Sequence, residues 1–164
     1  MQAELYEITP CPQGRLATMP RPRGAEWLRA ELTSLKRRGV TDLVSGLTPA
    51  EEKELKLEAE GQLCAELGLK FHRHPIGDHG LPIQPAFDEF ITSLLPALTE
   101  RKGFVAAHCF AGIGRATVVA AALLVRLGLS ADESLARISQ ARGFGVPDTQ
   151  EQFDFICDLA QRKP

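Results

Sequence analysis

The chain has 164 residues, of which 44% are hydrophobic and 24% are charged, close to the averages of folded globular domains. Its 19 basic and 21 acidic residues give a net charge of -2, so no general positive field exists to hold a nucleic acid. We therefore expect one globular domain over residues 1–164, without a nucleic-acid partner, in which any anion is bound locally.

The longest uninterrupted apolar run, from Val118 to Val125, has eight residues, far fewer than the ~20 that a membrane-spanning helix needs. The first residues include Glu4 and Glu7 and lack the basic start of a secretory signal. Four widely spaced cysteines without a Cys-x-x-Cys pair indicate free thiols. The sequence thus predicts a cytoplasmic monomer with no membrane partner.

The first quarter of the chain predicts two strands, a helix and a third strand. Tyr6 to Ile8 and Leu16 to Met19 flank a stretch of prolines and glycines, which is typical of a hairpin. Apolar residues recur at helical spacing from Trp27 to Leu35, and Gly39 ends that helix. Thr41 to Ser45 then forms a short strand.

A capping box predicts a polar helix that begins after Thr48. Pro49 is favourable at the first helical position, and the side chain of Glu51 can reach back to the cap. The pattern extends this helix to about Leu67. It carries the charge run Glu51 to Glu60, which we interpret as a solvent-exposed face.

The next segment combines a strand, an irregular loop and a helix. Lys70 to His74 has the length of a strand, and residues 75–82 contain too many prolines and glycines to be regular. Apolar residues at helical spacing predict a helix from Phe87 to Leu98, with a kink or a loosened hydrogen bond at Pro96.

The last part of the chain predicts a central strand and three helices. The apolar strand Phe104 to Ala107 leads through the turn His108 to Gly114 into an almost wholly apolar, and therefore central, helix from Arg115 to Leu127. Ser130 caps the next helix, and Thr149 or its neighbour starts the last. One face of that last helix carries the apolar residues Phe153, Ile156, Cys157 and Ala160. Strands that alternate with helices predict an α/β fold with a central, mostly parallel sheet flanked by helices.

The stretch from Phe104 to Ala116 has the features of an anion-binding loop. Successive backbone N–H groups in a tight turn converge on one point, and the N-terminus of a helix adds about half a positive charge. Arg115 can add two parallel hydrogen bonds to phosphate oxygens. Cys109 lies at the start of this loop, where helix N-termini and cations favour the nucleophilic thiolate.

His108, Cys109 and Arg115 resemble the His-Cys-five residues-Arg signature of the cysteine-dependent protein tyrosine phosphatases. The chain is similar to their dual-specificity-like branch, and in particular to bacterial tyrosine phosphatases related to the kinase-associated phosphatases. Leu43 to Glu52 and Phe71 to Pro82 extend the resemblance. It implies the dual-specificity-like phosphatase fold.

The resemblance also assigns roles to residues of this chain. Cys109 is the nucleophile that forms a phosphocysteine. Arg115 binds the phosphate together with the loop residues, and His108 supports the loop through hydrogen bonds. Asp78 is the general acid, and Gln152 positions the hydrolytic water. The loop residues in question are Phe110, Ala111, Gly112, Ile113 and Gly114.

Ala116 departs from the pattern, because most of these families carry serine or threonine after the arginine. That hydroxyl normally donates to the cysteine sulfur and helps it to leave. The regenerating-liver phosphatases share the Gly-Arg-Ala sequence but end in a prenylation motif, which this chain lacks. Phosphocysteine formation is therefore expected, with slow breakdown.

The resemblance implies a phosphomonoester hydrolase that needs no metal or organic cofactor. A phosphoinositide phosphatase of this superfamily would carry lysines in the loop, and residues 110–114 add no charge. This favours a phosphoprotein substrate, with phosphotyrosine first and phosphoserine or phosphothreonine as further candidates. The alternatives are a phosphate-recognising binding module with low turnover, and a sulfurtransferase or arsenate reductase, which also use a cysteine in an anion loop.

Three histidines and two other cysteines have simpler interpretations. His72, His74 and His79 lie close together, but without an evident fourth ligand they do not predict a metal site. Cys64 and Cys157 fall on apolar helix faces and are interpreted as core residues, with a redox role as the alternative.

Overall fold

The computed structural model of the chain describes residues 3–162. In chain order its strands and α-helices are β1 (Tyr6–Glu7), β2 (Arg15–Met19), α1 (Leu28–Arg37), β3 (Asp42–Ser45), α2 (Pro49–Glu54), α3 (Glu60–Leu67), β4 (Lys70–Arg73), α4 (Ala86–Thr99), β5 (Phe104–His108), α5 (Arg115–Arg126), α6 (Ala131–Arg142) and α7 (Gln150–Gln161). A 3-10 turn, Ala25–Trp27, leads into α1.

The five strands form one sheet in the order β1-β2-β5-β3-β4. β1 pairs with β2 in an antiparallel hairpin, and every other pair is parallel. β5 is the central strand, with β2 and β3 hydrogen-bonded on its two sides. The predicted α/β fold with a mostly parallel sheet is confirmed, and so is the N-terminal hairpin.

Helices cover both faces of the sheet because successive side chains of a strand point to opposite faces. Phe104 and Ala106 of β5 pack with the buried residues of α1 and α3. Val105 and Ala107 pack with α4, α5, α6 and α7. Eleven residues in a row, from Arg115 to Val125, are buried in α5, so its prediction as a central helix is confirmed.

The predicted single helix from Thr48 to Leu67 is wrong, because the chain breaks it into α2 and α3. Lys56 has a left-handed backbone conformation with φ of 58°, which an α-helix cannot contain. The N–H of Leu57 donates to the carbonyl oxygen of Glu52, and the Leu57 side chain is fully buried. The free energy gained by burying the Leu57 side chain thus offsets the cost of interrupting the helix.

The predicted inward face of α7 is only partly right. Ile156 is fully buried, but Phe153 is 38% exposed and Cys157 is half-buried. Instead, Gln152 is buried, and Phe155 packs edge-on against Phe87 with ring centroids 5.8 Å apart. The helix therefore directs an amide side chain inward at its first turn.

Within residues 3–162, no helix combines the length and the apolar character needed to cross a membrane.

Candidate active site

The anion-binding loop lies between the end of β5 and the start of α5, at the carboxyl edge of the sheet. Gly112 has φ of 76°, and a Cβ atom there would lie 2.5 Å from the carbonyl oxygen of Met19. Only glycine fits such a position. The tight path of the loop therefore depends on Gly112.

Two carbonyl groups of the loop are bonded to neighbouring groups of the protein. The N–H of Arg21 donates to the carbonyl oxygen of Phe110 at 3.1 Å, and the Thr117 hydroxyl donates to that of Ile113 at 2.6 Å. In the described part of the chain, no N–H of residues 110–114 donates to a protein oxygen. With the N-terminus of α5 beside them, these amides form a cradle suited to an anion.

The Arg115 guanidinium is held by a bidentate ion pair with Glu51. Its two terminal nitrogens lie 2.7 and 2.9 Å from the Glu51 carboxylate oxygens, and one also donates to the carbonyl oxygen of Ile76 at 2.8 Å. Arg115 is 2% exposed. Hydrogen bonding to Arg115, which outweighs burial, lowers the pKa of Glu51 to about 2, so the pair remains ionised throughout the neutral range.

Glu51 also completes the capping box predicted for α2. The Thr48 side chain accepts from the backbone N–H of Glu51, and the Glu51 side chain accepts from the N–H of Thr48. The cap fixes where the carboxylate stands, and the carboxylate fixes the plane of the Arg115 guanidinium. The sequence reveals the cap but gives no signal for the arginine partner, which lies 64 residues away.

Asp78 lies in the loop between β4 and α4 and faces the anion-binding loop. Its Oδ1 is 3.3 Å from an Arg115 terminal nitrogen, and its side chain is 63% exposed. Ile76, two residues earlier, is buried and accepts the hydrogen bond from Arg115. The arginine thus anchors the Asp78 loop at the edge of the site.

A cleft of about 160 Å³ joins these groups. The loop residues Cys109, Phe110, Ala111, Gly114 and Arg115 line it together with Asp78, His79, Asp148 and Gln152. Cys109 is 3% exposed, whereas Phe110 is 49% exposed. The cleft therefore gives restricted access to a buried sulfur beside a half-exposed aromatic ring.

Gln152 reaches this cleft from the first turn of α7. Its backbone N–H donates to the Thr149 hydroxyl at 3.1 Å, so the predicted helix cap is present. Neither of its two buried amide atoms has a hydrogen-bond partner in the described part of the chain. A Cβ atom on Gly114 would lie 2.8 Å from the Gln152 Nε2, so the free amide stands directly against the loop.

His108 points away from the cleft toward α3. Its Nε2 lies 2.6 Å from a Glu60 carboxylate oxygen, and neither side chain is exposed to solvent. Its Nδ1 lies 3.3 Å from the carbonyl oxygen of Cys109. His108 therefore contacts the start of the loop only at the Cys109 carbonyl oxygen, and Glu60 is a partner that the sequence did not indicate.

The interpretation of Glu51 to Glu60 as a solvent-exposed face is only partly right, because four of its seven charged residues are exposed and three glutamates are not. Glu51 binds Arg115, and Glu60 binds His108. The buried Glu52 forms a bidentate pair with Arg73 at 2.6 and 2.9 Å. The three glutamates that are not exposed therefore each contact a different basic side chain, two from α2 and one from the start of α3.

The clustered histidines have separate partners. His72 Nε2 lies 2.8 Å from Asp42, and His74 stacks on Phe90 with ring centroids 4.7 Å apart. His79 is exposed and lies 3.7 Å from Asp148. Among residues 3–162, no cluster of three or more side chains has the arrangement of a metal site.

All four cysteines are free thiols. Cys64 is buried as predicted, and burial, with the nearby Glu60 charge, raises its pKa to about 12. Cys157 is half-buried on α7 rather than a core residue.

Ala116 has no hydroxyl group to donate to the Cys109 sulfur. Ala116 is buried, and the neighbouring Thr117 gives its single proton to Ile113. We expect a burst of leaving group followed by slow turnover, because a hydrogen bond to a charged group contributes about 1.5–3 kcal/mol. Ala116→Ser should raise kcat by about one to two powers of ten, as measured by rapid-quench kinetics.

Ala120→Ser is the matched control, because it buries the same hydroxyl one turn further along α5. It should leave the burst and the slow phase unchanged. A reaction of the original chain without a burst, together with an Ala116→Ser variant that is no faster, would contradict the slow-breakdown prediction.

A cysteine at the end of a central parallel strand, a glycine-containing anion loop and an arginine at a helix start define a cysteine-dependent phosphatase of the dual-specificity type. A family model described as "Tc-R-P: Polymorphic toxin system, DSP-PTPase phosphatase" matches residues 17–129. The chain belongs to this family.

Curated relatives agree with this membership. The chain is 28% identical over 138 residues to human cyclin-dependent kinase inhibitor 3, covering 82% of this chain and 64% of that protein. It is 31% identical over 109 residues to mouse protein tyrosine phosphatase type IVA 2, covering 66% of this chain and 60% of that protein. The chain thus spans less than two thirds of the length of these relatives.

A solved structure supports the fold. Kinase-associated phosphatase with its catalytic cysteine replaced by serine superposes with a TM-score of 0.88 at 22% identity, over 99% of this chain and 96% of that one. At this identity the likeness shows the fold, and the predicted dual-specificity-like fold is confirmed.

Proposed function

We propose that the chain, as one domain over residues 1–164, hydrolyses phosphomonoesters of phosphoproteins through a phosphocysteine. The observation that carries this proposal is the position of Cys109 in one cleft with the Arg115 guanidinium and the Asp78 carboxyl group. A nucleophile, an anion-binding fork and a proton donor are the three parts that such a transfer requires.

In the first step the Cys109 thiolate attacks phosphorus in line with the ester oxygen. The S–P bond forms while the P–O bond breaks, and Asp78 gives its proton to the departing oxygen. The loop amides and Arg115 hold the three equatorial oxygens, where negative charge is concentrated in the transition state.

In the second step water replaces the sulfur. Asp78, now a carboxylate, takes a proton from the water, whose oxygen attacks phosphorus as the S–P bond breaks. Cys109 leaves as a thiolate and inorganic phosphate is released. The unpartnered amide of Gln152 beside Gly114 supports a role in orienting this water.

Arg115 has donors to spare for a phosphate. Among the described residues its Nε has no acceptor, and the contact with Asp78, at 3.3 Å, is the longest of its four. A phosphate can accept hydrogen bonds from Nε and from the terminal nitrogen that contacts Asp78. The contacts of Arg115 with Glu51 and Ile76 then remain in place. Binding then also releases the Asp78 carboxyl group for proton transfer.

Phosphotyrosine is the preferred substrate in this proposal. The buried sulfur must be reached through the cleft, which favours the long tyrosine side chain, and the half-exposed Phe110 ring offers an aryl group an edge or face contact. The mouse relative is named a protein tyrosine phosphatase, which also supports phosphotyrosine as the substrate. Cytoplasmic location and a monomeric state remain predictions from the sequence.

The test is a panel of peptides carrying phosphotyrosine, phosphoserine or phosphothreonine, assayed for phosphate release beside Cys109→Ser as the blank. We expect the highest kcat/KM for phosphotyrosine peptides. Arsenate and thiosulfate are included as substrates for the alternative chemistries. Phosphopeptide binding without release would indicate a binding module, and reduction of arsenate or sulfur transfer without phosphatase activity would contradict the proposal.

A further inference from the structure

Arg21 lies in the segment that follows β2, directly beside the anion-binding loop. Its backbone N–H donates to the carbonyl oxygen of Phe110 at 3.1 Å. A Cβ atom on Gly112 would lie 2.8 Å from the backbone nitrogen of Pro20, so the segment and the loop are in contact. Pro20 and Pro22 flank Arg21, and they restrict the backbone on both sides of it. Arg21 therefore has a fixed position relative to the loop.

The Arg21 guanidinium packs against the Phe110 ring. Its Cζ lies 5.3 Å from the ring centroid, within the range of a cation–π contact. Phe110 lines the cleft and is 49% exposed, whereas Arg21 is half-buried and lies outside that lining. The positive charge of Arg21 is therefore adjacent to one wall of the cleft rather than inside it.

No carboxylate neutralises Arg21 in the part of the chain that the structure describes. Its guanidinium donates to the carbonyl oxygen of Pro22 at 3.3 Å. By contrast, Arg23 forms an ion pair with Glu31 at 3.1 Å. A guanidinium has five N–H donors in a planar fork that fits a carboxylate or a phosphate. Arg21 therefore has unused donors and an uncompensated charge for a ligand.

We infer that Arg21 is a specificity-determining residue that selects substrates with an anionic group next to the phosphotyrosine. That group is the carboxylate of an acidic side chain or a second phosphate, because a guanidinium can bind either with two parallel hydrogen bonds. The inference deepens the proposed function and rests on its assignment of the cleft as the phosphotyrosine site. An aryl ring that enters the cleft beside Phe110 brings a flanking residue of the peptide near Arg21.

The charged groups that line the cleft do not provide this selectivity. Asp78 and Asp148 would repel a flanking anion, and their side chains are 63% and 37% exposed. His79 lies within 3.8 Å of both carboxylates. Arg115 is 2% exposed and, in the proposed mechanism, binds the phosphate of the phosphotyrosine itself. Arg21 is thus the cation placed to meet an anion outside the cleft.

The experiment compares kcat/KM for phosphotyrosine peptides that differ only in one residue next to the phosphotyrosine. Glutamate, glutamine, phosphoserine and serine are placed there in turn, on either side, and loss of the tyrosine phosphate is followed by mass spectrometry. We expect glutamate to be preferred over glutamine, or phosphoserine over serine, by about 5- to 10-fold, between the values for an exposed ion pair and for a buried hydrogen bond to a charged group. The larger preference identifies carboxylate or phosphate as the group recognised.

Arg21→Gln should abolish the preference, so that the charged and uncharged peptides have equal kcat/KM. Arg37→Gln is the matched control, because it removes the same charge from the exposed last turn of α1, which precedes β3 and therefore lies at the amino edge of the sheet. It should leave the preference unchanged. Absence of any preference in the original chain, or a preference that persists in Arg21→Gln, overturns the inference.

Arg21→Glu is a second variant that separates recognition from damage to the fold. Its negative charge should reverse the preference, so that a peptide with lysine beside the phosphotyrosine becomes a better substrate than the one with glutamate. Damage to the fold would lower both values without reversing their order. A folded Arg21→Glu that still favours the glutamate peptide overturns the inference.

Peptide binding to Cys109→Ser tests the inference without a substitution at Arg21 and without turnover. Calorimetry with the same peptides should give a lower Kd for the charged member of a pair than for the uncharged one. That difference in Kd, together with no phosphate release by the original chain from any peptide, contradicts the proposed function alone. Equal Kd values within both pairs, with phosphate release intact, overturn the Arg21 inference alone.

Discussion

Cys109→Ser is expected to lower kcat for any phosphate ester by about 10⁴-fold or more, the scale seen when an enzyme loses its nucleophile. A serine hydroxyl has nearly the same size as the thiol, so the loop is retained, but it is not ionised at neutral pH. Steady-state release of nitrophenol from an aryl phosphate measures the loss.

Binding should survive this substitution. The proposed phosphate contacts are the amides of residues 110–114 and the Arg115 guanidinium, none of which involves the sulfur. In the proposed mechanism the substitution also removes the negative charge of the nucleophile, which faces the incoming phosphate. We therefore expect a phosphotyrosine peptide to bind Cys109→Ser at least as tightly as the original chain, as measured by calorimetry.

Cys11→Ser is the matched control for this prediction. Cys11 is half-buried and contacts the carbonyl oxygen of Gln13 in the turn before β2, at the edge of the sheet opposite the cleft. It should retain full turnover. Substantial hydrolysis by Cys109→Ser would remove Cys109 from the mechanism, and loss of both binding and turnover would indicate collapse of the loop.

The loop that contains Cys109 was predictable because its signals are local. The strand from Phe104, the glycines and the apolar helix from Arg115 each depend on residues within about one element of each other. The hairpin and the cap of α2 are equally local. Such patterns define where elements start and stop, and right-handed crossovers then bring the strand ends together.

The contacts of the carboxylates around the loop were not predictable, because their partners are distant in the sequence. Glu51, Glu52 and Glu60 lie in one charge run, and nothing within that run separates an exposed glutamate from one that meets a basic side chain 64, 21 or 48 residues away. The chain adopts a left-handed conformation at Lys56, between α2 and α3, without the glycine that normally marks such a position.

The buried face of α7 was also not predictable from the pattern of apolar residues. Hydrophobic spacing favoured an inward face containing Phe153, yet the structure leaves that ring partly exposed and buries the Gln152 amide. The buried amide has no protein partner among residues 3–162, which costs stability. A site that needs a polar group can thus override the apolar pattern.

Asp78→Asn is expected to lower kcat by about 10²–10⁴ for esters with poor leaving groups, the usual contribution of a general acid. Asparagine keeps the shape of the side chain but has no proton to give to the ester oxygen. An activated aryl phosphate departs without that proton, so its kcat should change little. The dependence of kcat on the pKa of the leaving alcohol is therefore the measurement.

Asp148→Asn is the matched control, since Asp148 is a second aspartate that lines the same cleft. It should lower the rates of all esters equally or not at all. KM for Asp78→Asn should not rise, because asparagine lacks the negative charge that competes with a phosphate for the Arg115 nitrogen, which lies 3.3 Å from Asp78. Equal losses on good and poor leaving groups in Asp78→Asn, or a leaving-group dependence that appears only in Asp148→Asn, would assign the acid to a residue other than Asp78.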